Sequence, residues 1–150
     1  MLIVKSSLAV AFVFGLGLSV QPAAAGIAII LNLVERATTD AVTKTGKADD
    51  NAGDLLTFAN EVFDEANQNK VGTDTGWCIR TVVGQSWECS WTLKLDDGQI
   101  TVAGPFLDKS DSVLAIVGGT GAYAGARGEM ALHARNPEGT EFDFRYSIMQ

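Results

Sequence analysis

From residue 27 onwards apolar and polar side chains alternate at a period of two in one short segment after another, and helical periodicity is nearly absent. Residues 27–34, 54–58, 76–83, 87–95, 99–104, 112–117, 129–134 and 141–148 read as strands. Turn chemistry separates them: Gly84-Gln85, Asp96-Asp97-Gly98, a glycine-rich run over 118–125, and Asn136-Pro137-Glu138-Gly139. Short strands at this spacing predict an all-β barrel or sandwich. The segment 87–95 sends Trp87, Cys89, Trp91, Leu93 and Leu95 to one face and Glu88, Ser90, Thr92 and Lys94 to the other. The last segment divides Phe142, Phe144, Tyr146 and Ile148 from Glu141, Asp143, Arg145 and Ser147 in the same way. Alternation does not say which face is inside, since polar rows can face solvent or line a lumen. Residues 38–53 and 60–70 are polar and read as loops, of the kind that sits at a barrel mouth.

Ahead of the first strand, residues 1–5 end in Lys5, an apolar run covers 8–20, and Ala23-Ala24-Ala25 follows. That is the three-part pattern of a secretory signal peptide at 1–25, and the apolar run is shorter than the roughly 20 residues of a membrane span. Residues 26–150 then form one domain, expected to be exported to the periplasm or the medium without a stable membrane span. Loss of Lys5 takes the formal charge from −7 to −8. With no basic stripe, nucleic acid is an unsuitable partner. The two cysteines, Cys78 and Cys89, allow a single pairing and in an oxidising compartment favour a disulfide. Together with the lone His133 they are too few for a zinc site, so no metal is expected.

Several blocks in order resemble plant allene oxide cyclases: Gly53-Asp54-Leu55-Leu56-Thr57-Phe58-Ala59-Asn60-Glu61-Val62-Phe63-Asp64, then Gly76-Trp77-Cys78, then Gly98 to Phe106. The block Leu114 to Gly121, with Tyr123 and Ala126-Arg127-Gly128, is also similar to dirigent proteins. The resemblance implies an eight-stranded antiparallel, calycin-like β-barrel with an apolar cavity, often a homotrimer, working on an apolar small molecule without a cofactor. Allene oxide cyclases close an unstable epoxide into a cyclopentenone, and dirigent proteins steer radical coupling or quinone methide cyclisation. In both, the cavity fixes conformation and a few polar groups stabilise developing charge. On this resemblance the site asparagine matches Asn60, the site cysteine Cys78, and the site tyrosine Phe106, which has no hydroxyl. The site glutamate falls near Asn32 and a water-holding asparagine near Val34, departures that would remove the charge stabiliser and part of the water cradle. A Cys78–Cys89 bridge would make Cys78 structural instead of chemical.

Candidate site residues follow. Asn60 and Tyr123, with Asp64, are expected near the mouth as positioning or proton-donating groups, although Asn60 could equally end its strand with a side-chain turn. Phe58, Cys78, Arg80, Trp91 and Phe106 are the candidate ligand contacts. Arg80, Glu88 and Arg127 could cluster for acid and base work or form structural ion pairs. The 118–125 run lacks the Gly-Lys-Ser/Thr of a phosphate loop, so its glycines are assigned to positive φ. Two functions fit: a barrel that promotes cyclisation or isomerisation of an apolar substrate, and a barrel that only binds a ligand or serves as structure.

Overall fold

The computed structural model describes residues 28–150, so the leader read at 1–25 and the start of the first strand at Ile27 lie outside the described residues. Nine strands follow in order: β1 (Ala28–Arg36), β2 (Ala41–Thr43), β3 (Leu55–Asp64), β4 (Lys70–Val82), β5 (Ser86–Leu95), β6 (Gly98–Leu107), β7 (Ser112–Gly121), β8 (Arg127–Ala134) and β9 (Glu141–Met149). Neighbours in sequence pair antiparallel from β3 to β9, and β1 pairs with β9 on one side and β3 on the other. The result is a closed eight-stranded antiparallel barrel with β2 as an extra strand. Among the described residues no helix is long and apolar enough to cross a membrane.

Closure explains the inward face. A closed barrel has one interior, and the aromatic and aliphatic rows of β5 and β9 point into it. Leu93, Ile100, Val102, Leu114, Met130 and Ile148 are fully buried and fill the end of the barrel that carries the turns 96–97 and 122–126. That end is plugged by side chains, as an eight-stranded barrel permits.

Strand β3 runs six residues further than its alternation indicates, through Ala59 to Asp64, although a loop is expected from Asn60 onwards. An inward asparagine breaks the apolar row, yet its polar atoms are all answered inside the barrel. The turn at 65–69 is short because Asp64 accepts from the Gln68 and Asn69 amides, and Asn67 takes a φ of 56°. β1 reaches only the Glu61–Asp64 half of β3, while β2 pairs with Leu55–Thr57. The stretch between, at Phe58–Asn60, is where the loop 37–40 docks.

Cys78 and Cys89 face each other directly across β4 and β5, with Cα atoms 4.0 Å apart, and are joined by a disulfide. Both point inward.

A cavity with a buried carboxyl pair

The unfilled end of the barrel, on the side of the turns 83–85, 108–111 and 135–140, holds a cavity of about 230 Å³. Its wall is aromatic. Trp91 stacks on Phe144 with centroids 5.8 Å apart and takes the edge of Phe58 at 6.0 Å, while Phe106 meets Phe142 at 6.0 Å. Gly76, opposite Trp91 on β4, makes this possible, because a side chain there would run into the Cβ of Trp91. The disulfide completes one side, and Glu35 and Asp40 supply the acidic part of the lining.

Glu35 is the last inward residue of β1 and is 6% exposed. Its Oε1 accepts a 2.7 Å hydrogen bond from Asn60 Nδ2, which also donates to Asp40 Oδ1 at 2.9 Å. The Asn60 carbonyl oxygen accepts from the Thr38 amide at 3.1 Å, the Thr39 amide at 3.0 Å and the Thr39 hydroxyl at 2.8 Å. Asn60 is therefore saturated, and its role is to hold the loop 37–40 and orient Glu35. Beside Asn60 across the sheet lies Asp74, which is fully buried. Among the described residues neither Asp74 carboxyl oxygen finds a donor, the Trp91 Nε1–H finds no acceptor, and the Tyr146 hydroxyl has no partner in hydrogen-bond geometry.

Burial pushes the Asp74 carboxyl up to about 9, and the negative charge of Glu35 adds to the rise. Burial likewise raises Glu35 to about 7, with the Asn60 hydrogen bond pulling down and Asp40 pushing up. A protonated Asp74 donating to Glu35 resolves the missing donors, since a neutral acid brings its own proton. At neutral pH the pair thus keeps one proton on Asp74 and exchanges a second at Glu35. Tyr146 is held well above its ordinary range, first by burial and then by Asp74.

The rim is closed by Arg80. Its Nη1 donates to both oxygens of Asp108 at 2.7 and 2.8 Å, its Nε lies 2.8 Å from Asp50 Oδ1, and the guanidinium sits 4.0 Å above the Trp87 ring. Asp50 also accepts from the Gly84 amide at 2.7 Å. Loop 37–54 is thereby fastened to the β4–β5 and β6–β7 turns.

Phe58, Cys78, Trp91 and Phe106 meet on the cavity wall. Asn60 lies next to it, behind Glu35, and Arg80 lies at the rim. Tyr123 does not join them: it sits at the plugged end, buried over Gly98 and Gly119, whose missing side chains make its space, and its hydroxyl donates to Asp97 at 3.4 Å. Asp64 does not line the cavity either: it sits in the β3–β4 turn and accepts from the Gln68 and Asn69 amides. The Arg80, Glu88 and Arg127 cluster does not form, because Glu88 points outward from β5 and Arg127 starts β8 at the plugged end. Nor do Asn32 and Val34 mark the site, since both lie on the outward face of β1 and Asn32 bonds to Glu65. Glu35, Asp40 and Asp74 have no place in the sequence reading. The signal for Glu35 is parity: it follows Leu31 and Leu33 at a spacing of two.

Replacing Asn60 by alanine strands Glu35 and two backbone amides at once. The expected loss is about 3 kcal/mol in urea unfolding, with faster hydrogen exchange at the Thr38 and Thr39 amides. Unchanged exchange there would refute the anchoring role.

A sequence profile described as Allene oxide cyclase matches residues 26–136. Among solved structures, the chain is 26% identical to a pyocyanin demethylase, covering 79% of this chain and 99% of that one with a TM-score of 0.69. A pterocarpan synthase dirigent protein is 17% identical over 83% of this chain and 94% of its own, with a TM-score of 0.67. An exo-specific intermolecular Diels-Alderase is 16% identical over 83% and 98%, with a TM-score of 0.65. The last two likenesses are likenesses of fold.

Proposed function

This chain belongs to the allene oxide cyclase family, and from that premise we propose that its barrel binds one apolar small molecule and promotes its isomerisation or cyclisation by proton transfer, without a cofactor. The observation that carries this reading is an acid held near neutrality in an aromatic wall: Glu35, raised to about 7, facing the cavity with a proton-bearing Asp74 behind it. The Glu35 carboxylate takes a proton from one ligand atom, and the pair returns a proton at another, so nothing is consumed. The stacked rings hold the ligand in one conformation, and the carboxylate stabilises positive charge that develops in it. The similar structures, a pyocyanin demethylase, a dirigent protein and a Diels-Alderase, support an organic substrate enclosed in such a barrel.

A non-catalytic carrier is the second reading. It is favoured by Cys78 being tied up in the disulfide, Asn60 being saturated, and Phe106 offering no hydroxyl. Export to an oxidising compartment, with residues 1–25 as leader, is supported by the disulfide. Assembly as a homotrimer accords with the exposed outward Trp77, Val113 and Val117.

The experiment is native mass spectrometry of the protein purified from its own host without reductant. A retained apolar molecule is the expected result, followed by an assay of its turnover across pH. Turnover rises as Glu35 ionises through about 7 and falls as Asp74 loses its proton near 9, giving a bell-shaped profile. A ligand that leaves the protein unchanged at every pH would select the carrier reading.

A further inference from the structure

The acids around the cavity have no cation to answer them. The groups lining it include Glu35 and Asp40 and, among the described residues, no lysine, arginine or histidine. Behind Glu35 stands Asp74, fully buried and itself an acid, so it supplies no positive charge. The nearby cations are committed elsewhere: Arg80 to Asp50 and Asp108, Lys44 to Asp54. A buried carboxylate without a counter-charge is costly, and a neutral ligand that displaced water from the cavity would raise that cost.

The wall has the same polarity. Trp91, Phe144, Phe58 and Phe142 line the space, and an aromatic ring offers a cation the negative face of its quadrupole. A compact ammonium would lose its hydration here for few hydrogen bonds, whereas a charge spread over a conjugated frame is weakly hydrated and stacks. A volume of about 230 Å³ is below the roughly 300 Å³ of the smallest drug-sized pockets, which limits the frame to a few fused rings.

We propose that the ligand of this cavity is a planar, conjugated molecule carrying a delocalised positive charge, seated between the rings of Trp91, Phe58 and Phe142 with its charged region towards Glu35 and Asp40. The inference rests on the ligand-binding reading above and narrows it. An anion of the same shape is excluded by the carboxyls, and a neutral one gains only the burial of its rings.

Three probes of nearly one shape test it: the cation 10-methylacridinium, the neutral 9-methylanthracene and the anion anthracene-9-carboxylate. Each is titrated by fluorescence against the purified protein at pH 8. The expected order is cation over neutral by roughly tenfold or more, with the anion weakest. The preference shrinks from pH 8 to pH 5 as Glu35 takes up a proton, the other titratable groups facing it being Asp40 from the loop, Asp74 from β4 and Tyr146 from β9. Glu35→Gln brings cation and neutral probe to within about twofold of each other, and Asp40→Asn, farther from the barrel core, lowers the ratio without abolishing it. Equal binding of cation and neutral probe, or a full preference surviving in Glu35→Gln, would overturn the proposal while leaving ligand binding in place. Failure of all three probes to bind would remove the ligand-binding reading and this inference with it.

Discussion

The Asp74→Asn variant is expected to melt about 10 °C above the wild type at pH 8 and at the same temperature near pH 3.5. Folding raises this carboxyl from about 4 to about 9, so the folded state holds a proton that the unfolded state releases. A raised acid favours the folded state most at low pH, and stability falls as pH climbs from the unfolded pKa through the folded one. At pH 8 the unfolded chain has gained that deprotonation free energy, on the order of 3 kcal/mol or more for a group with no exposure. Asparagine has nothing to release, keeps the shape, and offers an N–H to Glu35 in place of the acid proton. Thermal unfolding by circular dichroism across pH checks this, and a variant less stable than wild type at pH 8 would count against a protonated Asp74. A pair that weakens the fold at its working pH is the kind of local conflict that function retains.

Removing the disulfide acts in the opposite direction. Cys78→Ala with Cys89→Ala is expected to lose about 3 kcal/mol and roughly 10 °C, because a bridge across a separation of 11 residues restricts the unfolded chain. The urea m-value is expected to rise as well, since the uncrosslinked chain exposes more surface on unfolding. An unchanged m-value with the same loss would move the effect into the folded barrel, where both sulfurs line the cavity. Wild type in dithiothreitol serves as the matching control.

The rows Trp87 to Leu95 and Phe142 to Ile148 were legible as strands because each keeps strict alternation, and the barrel follows from their number and spacing. Their inward direction was not legible, because alternation is symmetric until the sheet closes on itself. Where the barrel places polar residues inside, the pattern fails: Asn60 and Asp74 interrupt apolar rows, so β3 reads six residues short and β4 begins late. The same residues form the buried polar cluster behind Glu35. Glu35 is hidden for a related reason, standing just past an apolar run in a position that reads as the start of a loop, while Asn32 and Val34, which the family likeness indicates, lie on the outward face. Phe58, Cys78, Trp91 and Phe106 were legible, being apolar members of regular rows. Tyr123 was misplaced because a glycine-rich connection does not reveal which end of a barrel it serves.

Pairing of β1 with β9 runs from Ala28 opposite Met149 to Arg36 opposite Glu141. Of the described strands, the first to be synthesised is therefore a lateral neighbour of the last, across the greatest sequence separation among their pairings. Until β9 exists, β1 has one partner along four residues and a bare edge beyond them. Synthesis can yield hairpins but no enclosed interior, and folding waits on the slowest, least local contact. A chain stopped before Glu141 would be an open, curled sheet with two adhesive edges, a species prone to join others of its kind.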